Sequence, residues 1–182
     1  MCSPTSSRCN PTTSSPSGGS LTSTSQGLGV TALSAIALTN QDKALRQLNQ
    51  CIESRPDDVL ALYFRALIWA SKQEWQAAIA DYEAAIRLRP QDPSLHFNCG
   101  VVAWQAGDPA ATVRHMLRAR DLDPTCEGAH YYLALARHAQ GRTLEALTLA
   151  RRALELRPTE CSIGAPEFVG LIDMLESTLD RR

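Results

Sequence analysis

The sequence predicts an all-α fold, an α-solenoid of about four stacked helix-turn-helix repeats of 34 residues followed by one closing helix. Three observations carry this. Pro56, Pro90, Pro124 and Pro158 are each 34 residues apart. Small residues stand twelve positions before each proline, at Ala44, Ala78, Thr112 and Ala146. Apolar residues recur at steps of three and four, as in Ala77, Ala78, Ile79, Ala84, Ala85, Ile86 and Leu88, and no alternating run of useful length suggests a strand. Copies held in one phase at this period indicate a stacked array.

Residues 1–26 are nearly all Ser, Thr, Pro and Gly, with Arg8 as the single charge. Such a segment buries too little apolar surface to offset its chain entropy, and a disordered tail is expected. The repeat region is expected over 27–160, with repeats at about 25–58, 59–92, 93–126 and 127–160. Thirty-four residues hold two helices of about 12–14 residues and two short turns, and each helix alone is too short to be stable in water. The predicted pairs are 28–38 with 41–54, 59–72 with 75–88, 93–106 with 109–121, and 127–140 with 143–156. Proline ends each second helix by removing a donor and biasing the residue before it away from helix. Asn40, Gly107-Asp108 and Gly141 mark the turns within repeats. Acidic residues near helix starts (Asp92, Asp108, Glu127) and arginines near helix ends (Arg87, Arg118, Arg152) suit the helix dipoles. Residues 161–182 are expected to form a capping helix over 166–180, with Phe168, Leu171, Ile172, Leu175 and Leu179 on one face and Asp173, Glu176, Ser177 and Asp180 on the other. An open solenoid end needs such a polar-backed element.

The pattern within each repeat resembles the tetratricopeptide repeat family. Repeat 59–92 places Leu62, Ala66, Trp69, Ala78, Tyr82, Ala85 and Pro90 at the family's marked positions. Repeat 93–126 places His96, Gly100, Ala103, Thr112, Ala119 and Pro124 there, and repeat 127–160 places His130, Ala134, Arg137, Ala146, Ala153 and Pro158. The first copy is weaker, with Leu28, Ala32, Ala35, Ala44, Cys51 and Pro56. His96, His130 and Arg137 depart from the family's pattern.

The resemblance implies that the first helix of each pair lines a concave peptide-binding groove. Its lining positions fall on Tyr63, Phe64, Leu67 and Ala70, then Phe97, Asn98, Val101 and Trp104, then Tyr131, Tyr132, Leu135 and His138. Six of the chain's ten aromatic side chains lie in that set, and two or three of the six are expected in the core rather than on the surface. Aromatic anchors carry much of the energy of such interfaces, so an extended or helical peptide with apolar anchors is the expected ligand, with Asn98 available to its backbone. Some members of the family grip the acidic tail of heat-shock chaperones with a clamp of lysine, asparagine and arginine. Here those positions hold Tyr63, Leu67, Asn98, Gly128 and Tyr132, and without cations a carboxylate has no charge-assisted partner. A chaperone C-terminal carboxylate tail is therefore not expected as a partner.

The formal net charge of −1 offers no global attraction for nucleic acid or an anionic membrane. Arg114, His115, Arg118, Arg120, Arg151 and Arg152 are expected on the second helices as a solvated convex face. Contact of that face with an acidic partner or nucleic acid is the alternative reading, and self-association through the C-terminal helix is a third. None of the six cysteines, Cys2, Cys9, Cys51, Cys99, Cys126 and Cys161, forms a C-x-x-C pair, and reduced thiols are expected. Cys126 and His130 are four apart, but two ligands do not make a zinc site. No phosphate loop, nucleophile elbow or H-E-x-x-H occurs. No leader or membrane-spanning stretch is legible, which makes a cytoplasmic location the expectation. The expectation is a non-catalytic scaffold or assembly factor, without cofactor or metal, that binds a protein or peptide partner.

Overall fold

The computed structural model describes residues 27–156 and 165–181, with side chains over 40–156 and 166–181. The tail expected over 1–26, the linker with Pro158 and Cys161, and the side chains of Leu28, Ala32 and Ala35 lie outside the described residues. Eight helices follow one another: α1 (Gly27–Ser54), α2 (Val59–Ser71), α3 (Trp75–Leu88), α4 (Pro93–Gln105), α5 (Pro109–Leu122), α6 (Glu127–Ala139), α7 (Thr143–Leu156) and α8 (Ala165–Asp180). Among the described residues there is no strand. Leading helices α2, α4 and α6 start at residues 59, 93 and 127, and their partners α3, α5 and α7 at 75, 109 and 143. Both series advance by the period of the prolines.

Each helix packs chiefly on its neighbours in sequence, and α4 also touches α6, which is how a solenoid distributes its core. Three apolar clusters follow along the array. The first joins α2, α3 and the start of α4 through Leu62, Ala66, Ala78, Tyr82 and Leu95. The second joins α4, α5 and α6 through Phe97, Met116, Ala119 and Leu133. The third seats α8 on α7 through Ala146, Ala150, Leu171 and Leu175. Of the recurring small residues, Ala78, Thr112 and Ala146 are fully buried and Ala44 is half-buried. At the helix starts Asp58, Asp92 and Asp108 accept backbone N–H bonds as N-caps, and Pro93 and Pro109 occupy the first turn.

The first repeat departs from expectation. Helices predicted over 28–38 and 41–54 are a single helix, Gly27–Ser54. The reason lies in the turn. In the later repeats the fifteenth position is left-handed, with φ of 62° at Gln73, 76° at Gly107 and 78° at Gly141. The fifteenth position of 25–58 is Thr39. A β-branched residue strongly disfavours that conformation, and Asn40 alone does not interrupt the helix.

Candidate peptide-binding groove

The positions expected to line a groove sort into three groups. Phe64 is 51% exposed on α2, while Tyr63, Leu67, Trp104, Tyr131, Tyr132 and Leu135 are half-buried. Phe97, Asn98 and Val101 are buried, Phe97 to 1%. His138 is half-buried and directs Nδ1 at the Thr143 hydroxyl, 3.4 Å away at the turn into α7. Phe97, Val101 and Asn98 are therefore packed inside rather than on the lining surface, whereas His138 stays half-buried like its neighbours.

The physical cause is contact between repeats. Phe97 lies against Gly128, where a Cβ would stand 2.8 Å from its ring, and meets Tyr132 edge-on with centroids 6.0 Å apart. Gly128 is what admits the ring. Val101 joins the apolar cluster between α4, α5 and α6. Asn98 donates through Nδ2 to the Ser94 carbonyl at 2.8 Å and turns its amide to the Tyr63 hydroxyl, which occupies its donors within the fold.

Two strings of aromatic rings result. On α2 and α3, Tyr63 meets Phe64 at 5.5 Å and Tyr82 at 5.9 Å, both edge-on. Across α4, α6 and α8, Phe97 touches Tyr132, Tyr132 touches Tyr131 at 5.5 Å, and Tyr131 touches Phe168 at 5.1 Å. Burial raises the Tyr131 and Tyr132 phenols, with added repulsion from Glu167 and Tyr131 respectively, and burial then Asp92 raises Tyr63. All three are neutral hydroxyls at neutral pH.

One accessible residue escaped the list. Leu60, one turn before Phe64, is 59% exposed. Its signal was its place on the same helical stripe as Phe64 and Leu67, at steps of four and three.

The second helices carry the arginines, of which Arg114, Arg118, Arg151 and Arg152 are exposed, each with a neighbouring side chain as partner. Arg120 bonds Asp121, Arg151 bonds Glu176 on α8, and Arg152 bonds Glu155. Arg114 reaches Glu83 at 3.5 Å and Arg118 reaches Gln91 at 3.1 Å. His115, expected on that face, is buried beside Cys99 at 3.5 Å. Among the described residues no group of three or more His, Cys, Asp or Glu could hold a metal ion, and no helix is long and apolar enough to cross a membrane.

Two family models match the chain, one described as TPR repeat over residues 66–107 and one as Tetratricopeptide repeat over residues 100–160. Superkiller complex protein 3 of Homo sapiens is 26% identical over 150 residues, covering 75% of this chain and 9% of that protein. Among solved structures, MamA superposes with a TM-score of 0.72 at 16% identity, covering 79% of this chain and 81% of MamA. YrrB, described as a TPR protein with an unusual peptide-binding site, gives 0.68 at 18% identity, covering 80% of this chain and 73% of YrrB. The first TPR of Spaghetti (RPAP3), bound to the HSP90 peptide SRMEEVD, gives 0.61 at 20% identity, covering 67% of this chain and 93% of that one. At these identities the likeness to the solved structures is one of fold.

Proposed function

The chain belongs to the tetratricopeptide repeat family, and on that premise we propose that it is a non-catalytic protein-interaction scaffold that takes a peptide with apolar anchors on the faces of α2 and α6. The observation that carries the reading is the stripe on α2 in which Leu60 and Phe64 are exposed and Leu67 is half-buried beside Tyr63. Large aliphatic and aromatic side chains left exposed one turn apart are suited to receiving a partner's anchor residues. Tyr131, Tyr132 and Leu135 continue the apolar character on α6, and α8 is read as the cap over α7.

Its chemistry differs from that of a carboxylate clamp. None of the accessible lining residues on α2, α4 and α6 is charged, so a ligand held there is recognised by apolar contact rather than by an acidic tail. Peptide binding by YrrB and by RPAP3 is a property of those proteins, and supports only the class of partner.

Selection of a random peptide library on the folded chain tests this. Enriched peptides should carry paired apolar residues and should lose binding to a Leu60→Ser/Phe64→Ser variant whose melting temperature is unchanged. Tyr132→Ala should weaken them further. Enriched peptides indifferent to the α2 variant, or none at all, would overturn the groove assignment.

A further inference from the structure

The two histidines that break the family's pattern make the same contact in consecutive repeats. His96 and His130 occupy the fourth position of their repeats, where repeat 59–92 has Leu62. Each reaches back six residues to the carbonyl of the proline that closes the preceding repeat. Nε2 of His96 lies 3.1 Å from the Pro90 oxygen, and Nε2 of His130 lies 3.4 Å from the Pro124 oxygen. A carbonyl only accepts, so this contact assigns the ring proton to Nε2 in both. Both residues are more than nine-tenths buried, at 8% and 7% exposure, and Nδ1 of each is buried with no hydrogen-bond partner. A neutral ring leaves a bare lone pair there. An imidazolium would bring a second N–H and a full charge to a place without an acceptor.

The neighbouring cations add to that cost. Against His96 stands Arg118 from α5, while Asp92 at the start of its own helix pulls the other way. Arg114, His115 and Asp121 share with His96 and Arg118 a cavity of about 480 Å³. Against His130 stand Arg120 from α5 and Arg152 from α7. Burial first, and the arginines with it, hold both imidazoles below the usual 6.5, against the opposite pull of the proline carbonyls.

We propose that these two histidine clasps make the repeat boundaries at Pro90 and Pro124 acid-labile, so that mild acidification opens the α3–α4 and α5–α6 turns while the α1–α2 boundary, packed by Leu62, keeps its protection. The sign follows from linkage. A released imidazole takes up its proton near pH 6.5, whereas a clasped one does so only at lower pH. Each clasp is therefore intact above about pH 6.5 and weakens below it, by up to about tenfold in the closed-to-open ratio per pH unit, until the clasped ring itself titrates. His115, which burial and then Arg114 push down to about 4, acts in the same sense only in openings that part α4 from α5. For that reason the test keeps it in place.

Native-state hydrogen exchange on the full chain, between about pH 7.5 and about pH 5.5 and corrected for intrinsic rates, reads each boundary separately. The first turns of α4 and α6 should lose more protection than the first turn of α2, by up to about tenfold, and His96→Leu/His130→Leu should abolish the difference. Equal loss at all three boundaries, or the same loss in the double variant, would overturn the proposal. Imidazole titration of the unsubstituted chain by NMR decides it even if the variant fails to fold, since a pKa at or above 6.5 for either ring rules its clasp out.

Discussion

Repeats 59–92 and 127–160 join their two helices through the same register and with opposite chemistry. In the earlier repeat Arg65 on α2 meets Asp81 on α3, sixteen residues on, by two hydrogen bonds of 2.7 Å. In the later one the equivalent residues are Leu133 and Leu149, packed in one apolar cluster. The repeat between them has Cys99 beside His115 at 3.5 Å, where burial pushes the thiol up to about 12 and leaves it an inert filler. The backbone scarcely registers the difference, since partner helices begin sixteen residues after leading helices in all three copies. The frame is therefore set by the small residues and the left-handed turn, and the side chains at this contact are free to differ. What the ion pair adds is reach. Arg65 also donates to Asn49 on α1 at 2.9 Å, tying the neighbouring helix to the repeat, which leucine cannot do.

The sharpest way to break this comparison is to remove one charge. Asp81→Ala leaves the mostly buried Arg65 uncompensated and should cost about 3 kcal/mol in urea unfolding. Arg65→Leu/Asp81→Leu, which imports the solution of the last repeat, should regain most of that loss. A double variant as unstable as the single one would show that the bond to Asn49, rather than the pair, carries the contact. The invariant part of the frame should be less forgiving of bulk. Ala78→Leu, at a fully buried position, should cost about 2 kcal/mol by overpacking, and an unchanged melting temperature would count against the shared phase. The turns give the smallest effects. Gly141→Ala should lose about 1 kcal/mol at its left-handed φ, whereas Gln73→Gly should gain about half of that, because relief of strain is partly offset by the extra freedom of glycine in the unfolded chain.

Helix phase was legible because it depends on residues within one repeat. A proline ends the second helix, a glycine turns the first in two of the three later repeats, and the starts of α2 to α7 fall where the period puts them. Where a local signal was missing the reading failed, as at Thr39, which makes α1 continuous. The groove was legible only in part. Phe64 is exposed and Tyr63 half-buried, but Phe97 turns inward because Gly128, in the next repeat, leaves room for its ring. His138 is drawn to Thr143, and His96 and His130 to proline carbonyls, by partners that periodicity does not mark as polar contacts.

By itself the sequence determined the family, the all-α class and the phase of the stacked repeats, since these follow from local propensities repeated at a constant interval. Only the tertiary structure decided which rings remain accessible, which polar side chains pair, and which histidines clasp a turn. Those outcomes depend on the space one repeat leaves for the next, and that space exists only once the helices have packed.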